Sequence, residues 1–145
     1  MNAYADTGFI CSLMAPDANS EAATKWMARQ ALPLPWIWLH ELEFRNAMRL
    51  RVFRKEMTLV EADRTIGQAL GDIASGVYLR QEPELQLVST ESERLSAEFS
   101  ASLGTRSLDV LHVAAALVLG VPVFLTFDKR QAALAKAAGL RAPKL

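Results

Sequence analysis

Apolar positions recur in two alternating rhythms along this chain. Short, nearly continuous apolar runs predict strands at Ala3–Asp6, Leu34–Trp38, Leu85–Val88 and Val121–Thr126. Between them, apolar residues return every three or four positions, as on one face of a helix. Helices are predicted from Phe9 to Met14, from Asn19 or Ser20 to about Gln30, and from Trp38 to about Lys55. Thr58 and Glu61 form a Thr-x-x-Glu capping box that opens a helix to Ser75 or beyond, despite Gly67 and Gly71. Further helices are predicted from Thr90 to Leu103, from a Ser107 cap to Leu119, and from an Asp128 cap to Ala138. Gly104, Gly120 and Gly139 stand at their ends. Leu140–Ala142 could add a last edge strand. Strands separated by helices predict an α/β fold with a short, mainly parallel sheet flanked by helices. In such sheets ligands bind beyond the carboxyl ends of the strands.

The length, 145 residues, predicts a single domain spanning 1–145. Hydrophobic residues make up 51% and charged residues 22%, a balance that argues against intrinsic disorder. The longest apolar run, Val110 to Val123, is broken by His112, Gly120 and Pro122 and falls short of a membrane span. Asp6 interrupts the N-terminal segment, which lacks the basic region of a signal peptide, so a cytoplasmic location is expected. One cysteine, Cys11, leaves no internal disulfide or thiolate metal cluster, and it reads as a small buried hydrophobe. Sixteen basic residues balance sixteen acidic ones, but Arg45, Arg49, Arg51, Arg54 and Lys55 crowd one helix.

The candidate chemistry lies in four carboxylates. Asp6 closes the first strand, Asp128 follows the strand ending at Thr126, and Asp109 lies in the first turn of the most apolar helix. Taken singly, each has an ordinary role as a cap or a partner of the helix dipole. Glu43 differs. An apolar stripe of Leu39, Leu42, Ala47, Leu50 and Phe53 turns Glu43 inward, with no basic residue three or four positions on. Glu41, by contrast, has Arg45 at i+4 and reads as a surface ion pair. An inward carboxylate needs a cation, a hydrogen-bond donor or a proton. Acids clustered at strand ends repel one another unless a hard cation joins them, and oxygen ligands suit Mg²⁺ or Mn²⁺. Such a site suits phosphoryl chemistry.

These residues resemble PIN-domain ribonucleases, in particular the VapC-type toxins of type II toxin–antitoxin systems. Ala5-Asp6-Thr7 is similar to the family's opening strand and first aspartate. Glu43-Phe44-Arg45-Asn46-Ala47-Met48 resembles its Glu-x-x-Asn-Ala-Leu helix. Arg106-Ser107-Leu108-Asp109-Val110-Leu111-His112-Val113-Ala114 resembles its Arg-x-x-Asp-x-x-His-x-Ala segment, and Thr126-Phe127-Asp128 its Thr-x-Asp strand end. The family usually has Ser or Asn where this chain has Gly8.

The resemblance implies a three-layer PIN-like fold and a metal-dependent endoribonuclease. Asp6, Glu43, Asp109 and Asp128 would be its catalytic carboxylates, holding one or two Mg²⁺ or Mn²⁺ ions, with Thr126 supporting them through its hydroxyl. It also implies an RNA substrate, a homodimer and a VapB-type antitoxin. Arg45 and Arg49, four apart on one helix, would contact RNA phosphates. Trp38 and Phe44, off the expected core stripe, would meet the antitoxin. His112 reads as a packed or hydrogen-bonded histidine. A non-catalytic binding protein and a DNA-directed nuclease of the same fold are the alternative readings.

Overall fold

The computed structural model describes residues 2–29 and 33–145. Backbone contacts divide the chain into two compact units, one of Met1–Asp6 with Glu82–Leu145 and one of Thr7–Gln81.

The first unit is built on two parallel strands, β1 (Ala3–Ala5) and β4 (Val123–Leu125), with Tyr4 opposite Phe124. Pairing runs one residue further, where the Asp6 N–H donates to the Leu125 carbonyl at 3.0 Å. On the other edge of β4, the expected strand at Leu140–Ala142 is reduced to a single bridge, Val123 with Arg141. The Tyr4 ring stacks on Phe124, and its hydroxyl meets His112 Nδ1 at 2.7 Å. His112 is therefore a hydrogen-bonded core residue, as expected. It lies on α7 (Ser107–Val118), where Val113, Ala114, Ala115 and Ala116 are fully buried. The small alanines let the helix be buried on most of its circumference. The unit also contains α5 (Leu85–Leu95), a π-helical turn over Ser96–Ser100, α6 (Ala101–Leu103) and α8 (Lys129–Ala137). Gly104 closes α6 at φ 65°, a left-handed position that suits a residue without Cβ.

The second unit holds α1 (Thr7–Met14), α2 (Ser20–Met27), β2 (Leu34–Trp36), α3 (Trp38–Phe53), α4 (Leu59–Ala74) and β3 (Tyr78–Arg80). Cys11 is buried on α1. The expected end of α2 near Gln30 lies outside the described residues. The Thr58–Glu61 capping box opens α4 as the spacing predicts, with Thr58 N–H on Glu61 Oε2 at 2.7 Å. β2 and β3 pair in parallel, Leu34 opposite Tyr78.

The elements alternate as the pattern predicts, and all pairing between named strands is parallel. Other details differ. The strand expected at Leu85–Val88 is the start of α5; Val88 and Leu95, two turns apart, are its buried positions, while Leu85 and Leu87 are exposed. The strand beside β2 is instead Tyr78–Arg80, after α4 has ended and Gly76 has turned the chain at φ 84°. Only Tyr78 of that strand is buried, so its apolar signal is a single residue long. The buried face of α3 is also rotated from the expected stripe. It consists of Leu39, His40, Phe44 and Met48, while Leu42 is 62% and Phe53 83% exposed. The cause is Trp36, whose indole packs against both His40 and Phe44. His40 tolerates burial because its Nδ1 accepts from the Ile37 N–H at 3.0 Å.

Glu41 forms its expected pair with Arg45 and also accepts from the Trp36 indole at 2.8 Å and from Arg80 at 3.3 Å. Partial burial pushes its carboxyl up, but the hydrogen bonds of Trp36 and Arg45 and the charges of Arg45 and Arg80 outweigh this and hold it below its ordinary value. A depressed carboxyl stabilises the fold above its unfolded pKa of 4.5, and that contribution is lost as pH falls through the folded value. Glu41→Gln is expected to cost about 1 kcal/mol at pH 7 in urea unfolding. The difference from the unsubstituted protein should fade as pH falls below 4.5.

Candidate active site

Three of the four predicted acids belong to the first unit, and a chain of polar contacts joins them. Asp6 leaves the end of β1 with only 8% of its surface exposed. Thr126, the residue after β4, donates its hydroxyl to Asp6 Oδ2 at 2.6 Å. The same hydroxyl oxygen accepts the Asp128 N–H at 2.9 Å. One threonine thus ties the Asp6 carboxylate to the backbone that carries Asp128. The parallel register makes this possible, because Asp6 and Thr126 follow paired residues Ala5 and Leu125.

Asp128 is the N-cap of α8. Its Oδ1 accepts the N–H groups of Arg130 at 2.8 Å and Gln131 at 3.0 Å. Asp109 sits in the first turn of α7, and its Oδ2 accepts both the Arg106 N–H at 3.3 Å and Arg106 Nε at 3.1 Å. Ser107 is consequently not the cap of this helix; Arg106 occupies that position. The helix-capping roles of Asp109 and Asp128 are real, and each leaves an oxygen directed elsewhere. Arg106 extends from Asp109 to Asp128, reaching Oδ2 of the latter at 3.5 Å. A guanidinium therefore lies against both carboxylates and offsets part of their mutual repulsion.

Glu43 belongs to the second unit. It is half-buried on α3, and Thr7 donates its hydroxyl to Glu43 Oε1 at 2.8 Å. The donor expected for this inward carboxylate is the residue that follows Asp6 in the sequence. Arg45 is committed to Glu41, whereas Arg49 is exposed on the same helix. Trp38 is 49% exposed. Phe44 corrects the expectation made for it: at 1% exposure, with its ring 5.7 Å from that of Trp36, it is a core residue and not a partner contact.

The donor set of Asp6, Asp109 and Asp128, supported by a threonine hydroxyl, is made of hard oxygens. It fits a hard divalent cation and not a soft one. Arg106 lies against two of these acids. Among the described residues, no three His, Cys, Asp or Glu side chains are gathered closely enough to hold a metal as they stand.

Two contributors are not singled out by sequence reasoning. Arg106 is visible only as part of a motif, because a basic residue before a helix is common. Gln131 has a detectable signal. It shares the buried face of α8 with Leu134 and Ala135 at three- and four-residue spacing, so a polar side chain points inward there.

Residues 3–137 match the PIN domain family. The chain belongs to that family. Solved structures that share its fold include the following three. VapC20 of Mycobacterium tuberculosis, described as a sarcin-ricin loop cleaving toxin, superposes with a TM-score of 0.69 at 18% identity, covering 97% of each chain. PAE2754 of Pyrobaculum aerophilum gives 0.67 at 18% identity, covering 98% of this chain and 89% of that one. FitAcB of Neisseria gonorrhoeae gives 0.63 at 15% identity, covering 97% and 95%. No curated protein matches the chain in sequence. Among the described residues, no helix is long and apolar enough to cross a membrane.

Thr126 is 6% exposed and holds two partners through one oxygen. Thr126→Val, nearly the same shape, is expected to cost about 1–3 kcal/mol in urea unfolding because it removes the buried hydroxyl that bonds both Asp6 Oδ2 and the Asp128 N–H. Thr126→Ser keeps the hydroxyl and should recover most of that loss.

Proposed function

We propose that this PIN domain is a Mg²⁺- or Mn²⁺-dependent endoribonuclease and the toxin of a type II toxin–antitoxin pair. One observation carries the reading: Asp6, Asp109 and Asp128 are linked through Thr126 and Arg106 beyond the ends of paired parallel strands. Family membership supports it, since PIN domains are generally nucleases that use divalent metals. The likeness to VapC20, described as a sarcin-ricin loop cleaving toxin, supports the choice of RNA.

In this reading Asp6, Glu43, Asp109 and Asp128 would hold the metal. Thr126 orients the Asp6 carboxylate and Thr7 that of Glu43. A bound divalent ion supplies the positive charge that activates a water and screens the phosphate and the leaving oxygen. Hydrolysis by water would leave a 5′-phosphate and a 3′-hydroxyl, with no need for the 2′-hydroxyl as nucleophile. Arg49, and Arg45 when released from Glu41, would contact the RNA backbone. The exposed Trp38 of α3 would meet the antitoxin, and the working assembly would be a homodimer.

The test is cleavage of an end-labelled RNA pool by purified protein with Mg²⁺, with Mn²⁺ and with EDTA. Metal-dependent cuts bearing 5′-phosphate ends are expected, with Asp6→Asn and Glu43→Gln each reducing the rate by about 100-fold or more. Folded protein that inhibits growth equally well with Asp6→Asn would point to a non-catalytic binding protein. Cleavage of DNA in preference to RNA would identify a DNA-directed nuclease.

A further inference from the structure

Gln131 is 1% exposed, although glutamine rarely accepts full burial. It touches both acids. Its backbone N–H donates to Asp128 Oδ1 at 3.0 Å, and its side-chain Nε2 approaches Asp109 Oδ1 at a long 3.4 Å. Its other amide atom, Oε1, is buried and meets no hydrogen-bond donor among the described residues.

The orientation has a chemical cause. The Asp109 Oδ1 atom is an acceptor here, so the amide presents its nitrogen to it. Doing so leaves the oxygen stranded, and a buried acceptor without a donor destabilises the fold. An apolar side chain of the same length would fill this face of α8 beside Leu134 and Ala135 without that penalty. What the amide gains in return is the contact to Asp109, and an unsatisfied buried group calls for such a reason.

We propose that Gln131 is a positioning residue of the acidic site: its side chain holds the Asp109 carboxylate while its backbone holds Asp128. The inference deepens the metal-dependent reading above and rests on it. Gln131 would not touch the metal or the RNA. It would set the direction of one metal ligand from behind, as supporting hydrogen bonds do in metal sites generally.

The deciding experiment uses Gln131→Met and Gln131→Leu in the full chain, with Mn²⁺ affinity measured by electron paramagnetic resonance and stability by thermal unfolding without metal. Both variants are expected to melt at the same temperature as the parent or higher, because the stranded oxygen is gone. Their Mn²⁺ affinity is expected to fall about 10-fold or more, the usual effect of losing a supporting hydrogen bond. In the Asp109→Asn background the further loss on adding Gln131→Met should be much smaller, since the group being positioned has already changed. Mn²⁺ affinity within twofold of the parent in either folded variant would overturn the proposal. So would a large loss of stability in both, which would make Gln131 a residue serving the core alone. If the parent itself binds no Mn²⁺, the metal-dependent reading falls and this inference with it.

Discussion

The Thr126 hydroxyl bonds to Asp6 across 120 residues of sequence, and it can do so only because β1 and β4 run parallel in a fixed register. A shift of one residue would turn Thr126 to the opposite face of the pair and separate the two groups. The register is held by backbone pairing, including Asp6 N–H on Leu125, and by the stack of Tyr4 on Phe124. His112 reinforces it from α7 by bonding the Tyr4 hydroxyl. The same helix begins with Asp109, so the packing that secures the strand pair also sets where that acid starts.

Acids brought together by the fold repel one another unless polar partners offset their charge. This chain supplies such partners itself. Two aspartates cap helices, and a buried threonine links one of them to the third. Arg106, 72% exposed along its side chain, spans two carboxylates. An exposed guanidinium is held weakly. It offsets repulsion without closing the site to a more strongly charged cation. Gln131 lies on the buried side of the same two acids. The acids are thus flanked by a displaceable cation outside and a fixed amide inside.

The second unit shows how one aromatic side chain can redirect a helix. Trp36 packs against His40, Phe44 and Tyr78, and its indole nitrogen donates to Glu41. These contacts choose the buried face of α3 and leave Leu42 and Phe53 in the open. They also remove Phe44 from the surface and leave Trp38 half exposed.

What the sequence determined by itself was mostly local. Alternating rhythms, a capping box at Thr58 and the glycines after helices needed only neighbouring residues to be legible. Asp6 and Asp128 were legible from their places after strands and Asp109 from its place in a first helical turn, whereas the stripe that singled out Glu43 is rotated in the fold. The tertiary structure decided which polar groups meet. Nothing near Asp6 in the sequence points to Thr126, and nothing near Glu43 points to Thr7. It decided the face of α3 as well, because burial of His40 depends on a backbone N–H and an indole supplied by its surroundings. It also placed the strand at Tyr78–Arg80, where one buried side chain gives too little periodic signal to be read. Periodicity reports which side of an element prefers to leave water, whereas the partner waiting on that side is set by strand register and packing.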